Sequence, residues 1–428
     1  MNSRQCEAYL QGLQKLGIKL GLENIKTVLR SLDCPHQKYP AVHVAGTNGK
    51  GSVCAMLAEI LSGYGLKVGL YTSPHLVRIE ERIQVGRRLV PGKDFRRLLG
   101  TIKGRIDRLL AQRQLEAHPT FFEVLTILAF MYFAERKIDV AVIEVGMGGR
   151  FDATNVVTPL VSVITTVSWD HQEYLGRTLG QIAFEKAGII KPKVPAVCGL
   201  QAGEAYRVIK KRAADKEAPL LKVFSRPRSF TAQKKRDGYR FFYKIDGSLY
   251  CYSPWLQGVH QGRNAAIAIA AASVLSKTWR KLDKKKIIQG IEHARWPGRL
   301  EVVSRHPLTI LDGAHNESGA RTVRRFMRDF GRRPRILVFA MMHDKDIRKV
   351  MDILFPPAQK IILTSIPYVR AASPDEILSL AGRFKRKIIL EISLKKAMAA
   401  ARALAGSRGT VLVTGSLFLV GETKKLLP

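Results

Sequence analysis

The stretch that decides the fold is AVHVAGTNGKGSVCAMLAEIL, residues 41–61. The apolar run 41–45 predicts a buried strand. A helix is predicted after it, because apolar residues recur at intervals of three and four: Val53, Met56, Leu57, Ile60 and Leu61. Between them lies the turn 46–52, whose glycines let backbone N–H groups converge on an anion. With the helix N-terminus and the charge of Lys50 added, the stretch predicts a binding loop for a nucleotide phosphate chain.

The loop departs from the usual phosphate-loop pattern at two places. Val44 stands where the first glycine is expected, and Gly51 follows Lys50 where a hydroxyl residue normally holds magnesium. Ser52 is therefore one position late, and its role as a metal ligand is left open. The alternative is a purely structural glycine turn between a core strand and a core helix. Lys50 and the preceding strand favour phosphate binding.

Composition indicates a two-domain globular protein. A chain of 428 residues is too long for one ordinary core, and its 46% hydrophobic and 25% charged residues are typical of a folded enzyme. The five cysteines are scattered and form no C-x-x-C pair, so neither a disulfide framework nor a zinc site is indicated. The longest apolar stretch, 124–134, is too short to span a bilayer. We expect a cytoplasmic protein without a membrane anchor.

The net charge of +36 is extreme and would attract polyanions of many kinds. The basic residues are nevertheless spread along the chain, without the interleaved aromatic residues of a single-strand binding groove. We therefore expect a generally basic surface and a site for anionic small molecules, and no specific nucleic acid.

Strands are predicted at 68–71, 138–145 and 159–168, and polar residues lie at their carboxyl ends, in the segments 72–75, 144–150 and 169–171. Ligands of open parallel sheets bind beyond the carboxyl ends of the strands, so Ser73, Glu144 and His171 should converge on the phosphate loop. Glu144 and His171 are then candidate ligands for Mg²⁺ ions that bridge phosphate oxygens. A structural role for His171, and a loop role for His75, remain alternatives.

Three predicted helices also carry candidate residues. Thr120 and Glu123 form a capping box, and of the adjacent Phe121 and Phe122 one faces a ligand or makes a hydrophobic contact. The segment 178–190 predicts a helix with Lys186 in its last turn, where a cation is favoured by the helix C-terminus alone. Asn264 is predicted to cap a helix over 264–276.

A second α/β domain is predicted beyond 296–299, which has the composition of a hinge. About five strand-like runs alternate there with helical segments: 308–311, 336–340, 360–364, 387–391 and 410–414. The first of them ends in the polar cluster 312–316.

Together these segments resemble the folylpolyglutamate synthase and dihydrofolate synthase family, a branch of the Mur-ligase-type ATP-dependent amide synthetases. The resemblance covers nearly the whole chain through eleven ordered motifs: GTNGKGS (46–52), TSPHL (72–76), ERI (81–83), TFFE (120–123), EVGMGGRFDATN (144–155), DHQEYLGRTLGQIAFEKAGIIK (170–191), HQGRN (260–264), WPGRLE (296–301), DGAHN (312–316), HDKD (343–346) and TGS (414–416).

The resemblance implies an α/β fold with two domains. A large N-terminal P-loop domain with a parallel sheet, residues 1–296, would hold ATP and a pterin or folate pocket. A smaller C-terminal α/β domain of five or six strands, residues 297–428, would close over ATP and bind glutamate.

The resemblance also implies roles for individual residues. Lys50, Lys186, His171 and His315 would be catalytic, with Lys186 carried as a carbamate that helps to organise the second metal. Two Mg²⁺ ions would be held by Ser73, Glu144 and His171. ATP would be contacted by Thr47, Asn48, Gly49, Lys50, Gly51, Ser52, Asn264, Arg299 and Asp312. The pterin pocket would comprise Leu20, Gly21, Arg82, Thr120, Phe121, Phe122, Glu123, Phe151, Asp152 and Ala153. Glutamate would lie at His315 and Ser416. Lys19 and Ala340 depart from residues common in the family.

The implied reaction adds L-glutamate to dihydropteroate, to the terminal glutamate of reduced folates, or to both, through an acyl phosphate, with ATP as co-substrate. It belongs to folate biosynthesis and one-carbon metabolism, and a monomer is expected. Three alternatives stay open: a muropeptide ligase with the same chemistry, a basic nucleic-acid-dependent ATPase, and a nucleotide-binding protein without turnover.

Overall fold

The structure, a computed structural model, describes residues 1–15, 17, 19, 21–200 and 202–427. It divides them into two compact units. The first comprises Met1–Thr231, Phe242–Tyr252 and Arg263–Ala294, and the second comprises Ala232–Phe241, Ser253–Gly262 and the chain from Arg295 onward. The main division after Ala294 lies next to the segment that the sequence predicts as a hinge. The functions assigned to the two domains stay predictions.

An eight-stranded sheet organises the first unit, in the order β4-β3-β2-β5-β1-β6-β7-β8. The strands are β1 (Ala41–Ala45), β2 (Val68–Tyr71), β3 (Ile83–Val85), β4 (Arg88–Leu89), β5 (Val140–Glu144), β6 (Val161–Ile164), β7 (Ala196–Cys198) and β8 (Leu220–Lys222). The six strands from β2 to β8 in this order run parallel, and β3 and β4 pair antiparallel at one edge. Strand β1 is central because β5 and β6 flank it, which places the segments after these three strands at one sheet edge.

Helices cover this sheet. They are α1 (Ser3–Gln14), α2 (Glu23–Arg30), α3 (Lys50–Ser62), α4 (Gly92–Ala111), α5 (Phe121–Glu135), α6 (Gln172–Leu175), α7 (Leu179–Ala187) and α8 (Glu204–Asp215). Helix α3 buries every residue from Ser52 to Leu57, and α5 buries every residue from Glu123 to Phe130. Such all-round burial explains why these helices are apolar on every side.

A three-stranded sheet has the order β11-β10-β9, formed by β9 (Phe230–Lys235), β10 (Gly238–Ile245) and β11 (Ser248–Tyr252). Strands β10 and β11 form a hairpin whose turn is Asp246-Gly247, with positive φ at both residues. Helices α9 (Val259–Thr278) and α10 (Lys284–His293) follow.

The second unit contains a six-stranded sheet in the order β12-β13-β17-β14-β15-β16. Its elements are β12 (Glu301–Arg305), β13 (Leu308–Asp312), α11 (Glu317–Phe330), β14 (Arg335–Phe339), α12 (Ile347–Leu354), β15 (Lys360–Leu363), α13 (Pro374–Leu380), β16 (Ile388–Leu390), α14 (Leu394–Ala405), β17 (Thr410–Thr414) and α15 (Leu417–Lys425). The five predicted strands are confirmed. The sixth, β12, pairs antiparallel with β13. The α/β fold class is thus confirmed.

All five cysteines are free, as expected. Among the described residues, no helix combines the length and the apolarity that crossing a bilayer requires.

Candidate active site

The phosphate loop follows β1 and leads directly into α3, as predicted. Gly46 and Gly49 both have positive φ, at 146° and 87°. The Lys50 ammonium folds back over the loop and donates to the carbonyl oxygens of Gly46 and Thr47 at 3.1 and 3.3 Å. A full positive charge therefore lies at the N-terminus of α3, where the helix dipole adds to it.

The end of β6 fixes the shape of this loop. The Thr47 N–H donates to the Thr166 carbonyl at 2.7 Å, and the Asn48 N–H donates to the Thr166 hydroxyl at 3.0 Å. The Thr165 hydroxyl donates in turn to the Asn48 carbonyl at 2.8 Å. The two threonines hold a loop that is distant in sequence, and neither belongs to a motif from which the sequence predicts a function.

The prediction that Asn264 caps a helix is wrong. Helix α9 begins at Val259, so Asn264 lies in its second turn. The Asn264 side chain is buried and packs on Gly49, where a Cβ atom would lie 2.5 Å from its Oδ1 atom. A tertiary contact with the phosphate loop, rather than a local capping bond, thus accounts for an asparagine at this position.

Gly49→Ala is expected to raise the KM for ATP about tenfold or more. The new methyl group would collide with Asn264, and a backbone φ of 87° is unfavourable for alanine. Gly65→Ala is the matched control, because Gly65 also has positive φ but no atom lies within 4 Å of where its Cβ atom would be. Steady-state kinetics of both variants separate the effect of the collision with Asn264 from the effect of backbone strain. Equal ATP KM values in both variants would contradict a special role for the Gly49 contact.

Ser73 and Glu144 are brought together at the carboxyl ends of β2 and β5. The Ser73 N–H donates to the Glu144 carboxylate at 3.1 Å. Glu144 is buried, and β1 aligns Val44 beside it in the parallel register. A buried carboxylate requires hydrogen bonds or a cation, so this pair is suited to a positively charged partner.

His171 lies at the start of α6, with a φ of 48°. Its ring is partly exposed, and its Nε2 atom lies 3.8 Å from the Asp170 carboxylate. Among the described residues, no group of three or more His, Cys, Asp or Glu side chains is placed to hold a metal ion. Mg²⁺ does not require such a cage, because it usually binds one or two protein oxygens together with substrate phosphates and water. The Glu144 carboxylate and the Ser73 hydroxyl are hard oxygen donors that fit this ion.

Lys186 is buried in the last turn of α7, with 3% of its surface exposed. Burial, with the nearby charge of Lys50, lowers the pKa of Lys186 to about 7, although Asp170 and Asp152 oppose the shift. A large fraction of its amine is therefore neutral and nucleophilic at neutral pH. A cation attracted by the helix terminus alone would not be buried in this way.

Lys186→Met is expected to raise the free energy of unfolding at pH 6 by roughly 1–3 kcal/mol. At that pH the lysine is charged in both states, and the fold bears the cost of burying the charge. As pH rises from 7 towards 10, the folded amine is already neutral while the unfolded one still binds a proton, so wild-type stability should recover. Denaturant titrations in CO₂-free buffer measure this difference. If Lys186→Met gains the same free energy of unfolding at every pH, the lowered pKa of Lys186 is contradicted.

The candidate acceptor pocket contains two aromatic rings and a capped helix start. The Thr120–Glu123 capping box is confirmed, with Glu123 accepting from the Thr120 N–H at 2.7 Å. The Phe122 ring packs against Gly146, where a Cβ atom would lie 2.5 Å from it. The Phe121 ring lies 5.4 Å from the Arg82 guanidinium. Both rings are only half-buried, so both keep surface for a ligand.

Arg82 is itself buried and donates through Nε to His75 Nδ1 at 3.0 Å. The sequence alone favours a loop role for His75, whereas the structure makes it the partner of a candidate pocket residue. Phe151 is exposed beneath the Arg150 guanidinium at 4.2 Å, and Asp152 and Ala153 are buried beside it. Gly21 is half-buried, and Leu20 lies outside the described residues.

In the second unit, the candidate residues lie around the carboxyl ends of the adjacent parallel strands β13 and β17. Asp312 is buried and accepts from the Leu300 and Ala314 N–H groups, both at 2.8 Å. Burial raises its pKa, although Arg299 opposes the shift. Arg299 packs against Gly313, where a Cβ atom would lie 2.7 Å from its guanidinium.

The two loops beyond these strands are joined by a hydrogen bond from the Gly415 N–H to the Ala314 carbonyl at 3.1 Å. His315 Nδ1 lies 2.9 Å from the Gly313 carbonyl, so this nitrogen carries the ring proton. Ser416 is buried and caps α15. His315 and Ser416 thus occupy one edge of the second sheet.

Two family models match the chain. The Mur ligase middle domain matches residues 44–272, and the Mur ligase glutamate ligase domain matches residues 298–417. The chain is 35% identical over 438 residues to the dihydrofolate synthase/folylpolyglutamate synthase of Bacillus subtilis, with 99% of each chain covered. It is 36% identical over 433 residues to the folylpolyglutamate synthase of Lacticaseibacillus casei, with 100% and 99% covered.

Solved structures agree with these relatives. The Mycobacterium tuberculosis folylpolyglutamate synthase complexed with ADP superposes with a TM-score of 0.91 at 30% identity, covering 100% of this chain and 99% of that one. E. coli FolC in complex with DHPP and ADP superposes with a TM-score of 0.86 at 31% identity, covering 98% and 97%.

Proposed function

Because this chain belongs to the folylpolyglutamate and dihydrofolate synthase family of Mur-type ATP-dependent ligases, we propose that it ligates L-glutamate both to dihydropteroate and to reduced folates through an acyl phosphate. The family includes relatives with both activities in their names. One observation supports the proposal most: the phosphate loop with Lys50, the Ser73–Glu144 pair and the end of β6 lie at the same edge of one sheet.

In the first step an acceptor carboxylate oxygen attacks the γ-phosphorus of ATP, and the bond to the ADP oxygen breaks. Negative charge accumulates on the transferring group, and Lys50 with the N-terminus of α3 stabilises it. We assign Arg299 and Asp312 to ATP contacts as well. ATP is supported as co-substrate by the nucleotide complexes of the structural relatives.

In the second step the amine of L-glutamate attacks the acyl carbon, and phosphate leaves. The attacking nitrogen must lose protons. His315, whose Nδ1 proton is directed at the Gly313 carbonyl, is assigned to proton transfer through Nε2. Ser416, near it at the same sheet edge, is assigned to glutamate binding.

Mg²⁺ bound with ATP would neutralise phosphate charge, and Ser73, Glu144 and His171 are the residues assigned to two such ions. Lys186 has the neutral amine that carbamate formation requires. A carbamate would convert this buried cation into a carboxylate-like anion. A monomeric state, a cytoplasmic location and the lack of a specific nucleic-acid partner remain predictions.

The proposal is tested by mass analysis after incubation with Mg²⁺, ATP, L-glutamate and one acceptor at a time. Dihydropteroate and a reduced folate should each gain glutamyl residues, with ADP formed in equal amount. A UDP-linked muramoyl acceptor and nucleic acid are the comparison substrates. Ligation to the muramoyl acceptor, or ATP hydrolysis stimulated only by DNA or RNA, would contradict the proposal.

A further inference from the structure

Strand β1 contains a buried histidine that its position does not explain. His43 is fully buried at the centre of the sheet, and it is the only polar residue among Ala41–Ala45. Its Nδ1 atom has no hydrogen-bond partner among the described residues. An apolar residue would avoid the free-energy cost of this buried, unpaired nitrogen. A role for this histidine is therefore expected at its other ring nitrogen.

That nitrogen, Nε2, lies 2.8 Å from the Thr154 hydroxyl. The same hydroxyl donates to Asp152 Oδ1 at 2.5 Å. A hydroxyl has a single proton, and because the Thr154 hydroxyl donates to Asp152, that proton lies toward the carboxylate. Burial raises the pKa of Asp152, and the hydrogen bonds from Thr154, Met147 and Gly146 oppose that shift. His43 must then donate from Nε2, which fixes its tautomer and leaves Nδ1 as the unprotonated nitrogen. Burial agrees with a neutral ring, because it lowers the pKa of His43 to about 3.

Asp152 is the end of this hydrogen-bond chain. Its Oδ1 also accepts from the Thr154 N–H at 3.0 Å, and its Oδ2 accepts from the Met147 N–H at 2.9 Å. These bonds fix the carboxylate against the glycine-rich turn after β5, directly after the candidate pocket residue Phe151 in the sequence. Asn155, which follows Thr154, donates to the Arg150 carbonyl at 2.9 Å and so holds the end of the same turn.

We infer that His43 is a positioning residue for acceptor binding: by donating to the Thr154 hydroxyl it directs that hydroxyl at Asp152 and holds the carboxylate in its binding position. The inference rests on the proposed function and on the pterin pocket that the family resemblance implies, of which Asp152 is a member. His43 itself lies inside the sheet and touches no substrate. A chain of donors directed at one carboxylate is stronger than its separate bonds, because each bond polarises the next.

Two pairs of variants, at Thr154 and at His43, test this hydrogen-bond chain. Thr154→Val and His43→Leu each remove one donor, whereas Thr154→Ser and His43→Gln each keep one at about the same place. The matched control is His36→Leu, since His36 is also buried, also has an unpartnered Nδ1 among the described residues, and packs on Phe130. Asp152→Asn serves as the reference for the carboxylate itself.

Steady-state kinetics with dihydropteroate and with a reduced folate should show a selective effect. Thr154→Val should raise the acceptor KM roughly tenfold and His43→Leu roughly three- to tenfold, with the KM for ATP within about twofold of wild type. Thr154→Ser and His43→Gln should restore the acceptor KM, and His36→Leu should leave the acceptor KM unchanged. The double variant should be no worse than the more severe single one, because both changes break the same chain.

Three results would overturn the inference. These are an unchanged acceptor KM in Thr154→Val, a parallel rise in the ATP KM, or additive effects in the double variant. Because Thr154→Val conserves volume, it tests the inference even if His43→Leu does not fold. If Asp152→Asn also leaves the acceptor KM unchanged, then the assignment of Asp152 to the acceptor pocket is wrong, and not only the role of the hydrogen-bond chain. The wild-type ligation assay tests the proposed function separately.

Discussion

Replacing Lys50 by alanine is expected to abolish glutamate ligation, with kcat/KM falling by about a thousandfold or more. The lysine ammonium is held over the phosphate loop by the Gly46 and Thr47 carbonyls. Alanine leaves the loop backbone and the helix dipole in place but removes the full charge. A coupled assay of ADP release, checked by mass analysis of the product, measures the loss.

The control for this prediction is Lys210→Ala, which removes an exposed lysine of α8 and changes net charge equally. Its activity should equal that of the wild type within about twofold. Circular dichroism and thermal unfolding should match for both variants. Retention of more than about a tenth of wild-type activity by Lys50→Ala would contradict the role of the phosphate loop.

Lys186→Ala is expected to lower kcat by about a hundredfold or more. Its amine, with a pKa of about 7, can react with CO₂ to give the proposed carbamate, and alanine leaves no amine near Lys50 to form that anion. Activity should therefore rise with pH through 7 as the neutral amine becomes available, and it should fall when bicarbonate is removed. Acetate or another short carboxylate should restore part of the activity of Lys186→Ala.

Lys191→Met is the matched control, because burial also lowers the pKa of Lys191, to about 8, while its ammonium donates to the Asn155 carbonyl. It should retain activity within about threefold. Carbon-13 NMR with labelled bicarbonate observes the carbamate directly. Wild-type rates in Lys186→Ala would show that the carbamate assignment is wrong.

Much of the fold follows from local sequence. The strands at 41–45, 68–71 and 410–414 agree with their predicted bounds, and the capping box of α5 forms as predicted. These segments combine a periodic apolar pattern with a clear turn or cap, so local and tertiary preferences agree. Strand β12 is not predicted from the sequence, because its pairing with β13 is decided by a neighbouring strand rather than by its own pattern.

The start of α9 shows where local rules fail. Gly262 has the local character of a loop residue before an Asn264 cap, yet it lies inside the helix. It packs on the Phe241 ring so closely that a Cβ atom would collide with the ring. The glycine permits close packing, and tertiary contact overrides the local signal.

The candidate site is predictable in outline because parallel strands place their carboxyl ends at one edge. Its supporting contacts are not, because they join residues far apart in the chain. His43 meets Thr154 across 111 positions, and Asn48 meets Thr166 across 118. For the His43–Thr154 contact, the one signal in the sequence is a histidine inside an otherwise apolar strand.

Activation of the acceptor as an acyl phosphate is the central step of the proposed reaction, and an isotope-transfer experiment tests it directly. The wild-type protein is incubated with Mg²⁺, ATP, L-glutamate and dihydropteroate whose carboxylate carries oxygen-18. Activation through an acyl phosphate predicts a glutamylated product and one labelled oxygen in the phosphate that is released. Unlabelled phosphate alongside product, or ATP hydrolysis without ligation, would contradict it.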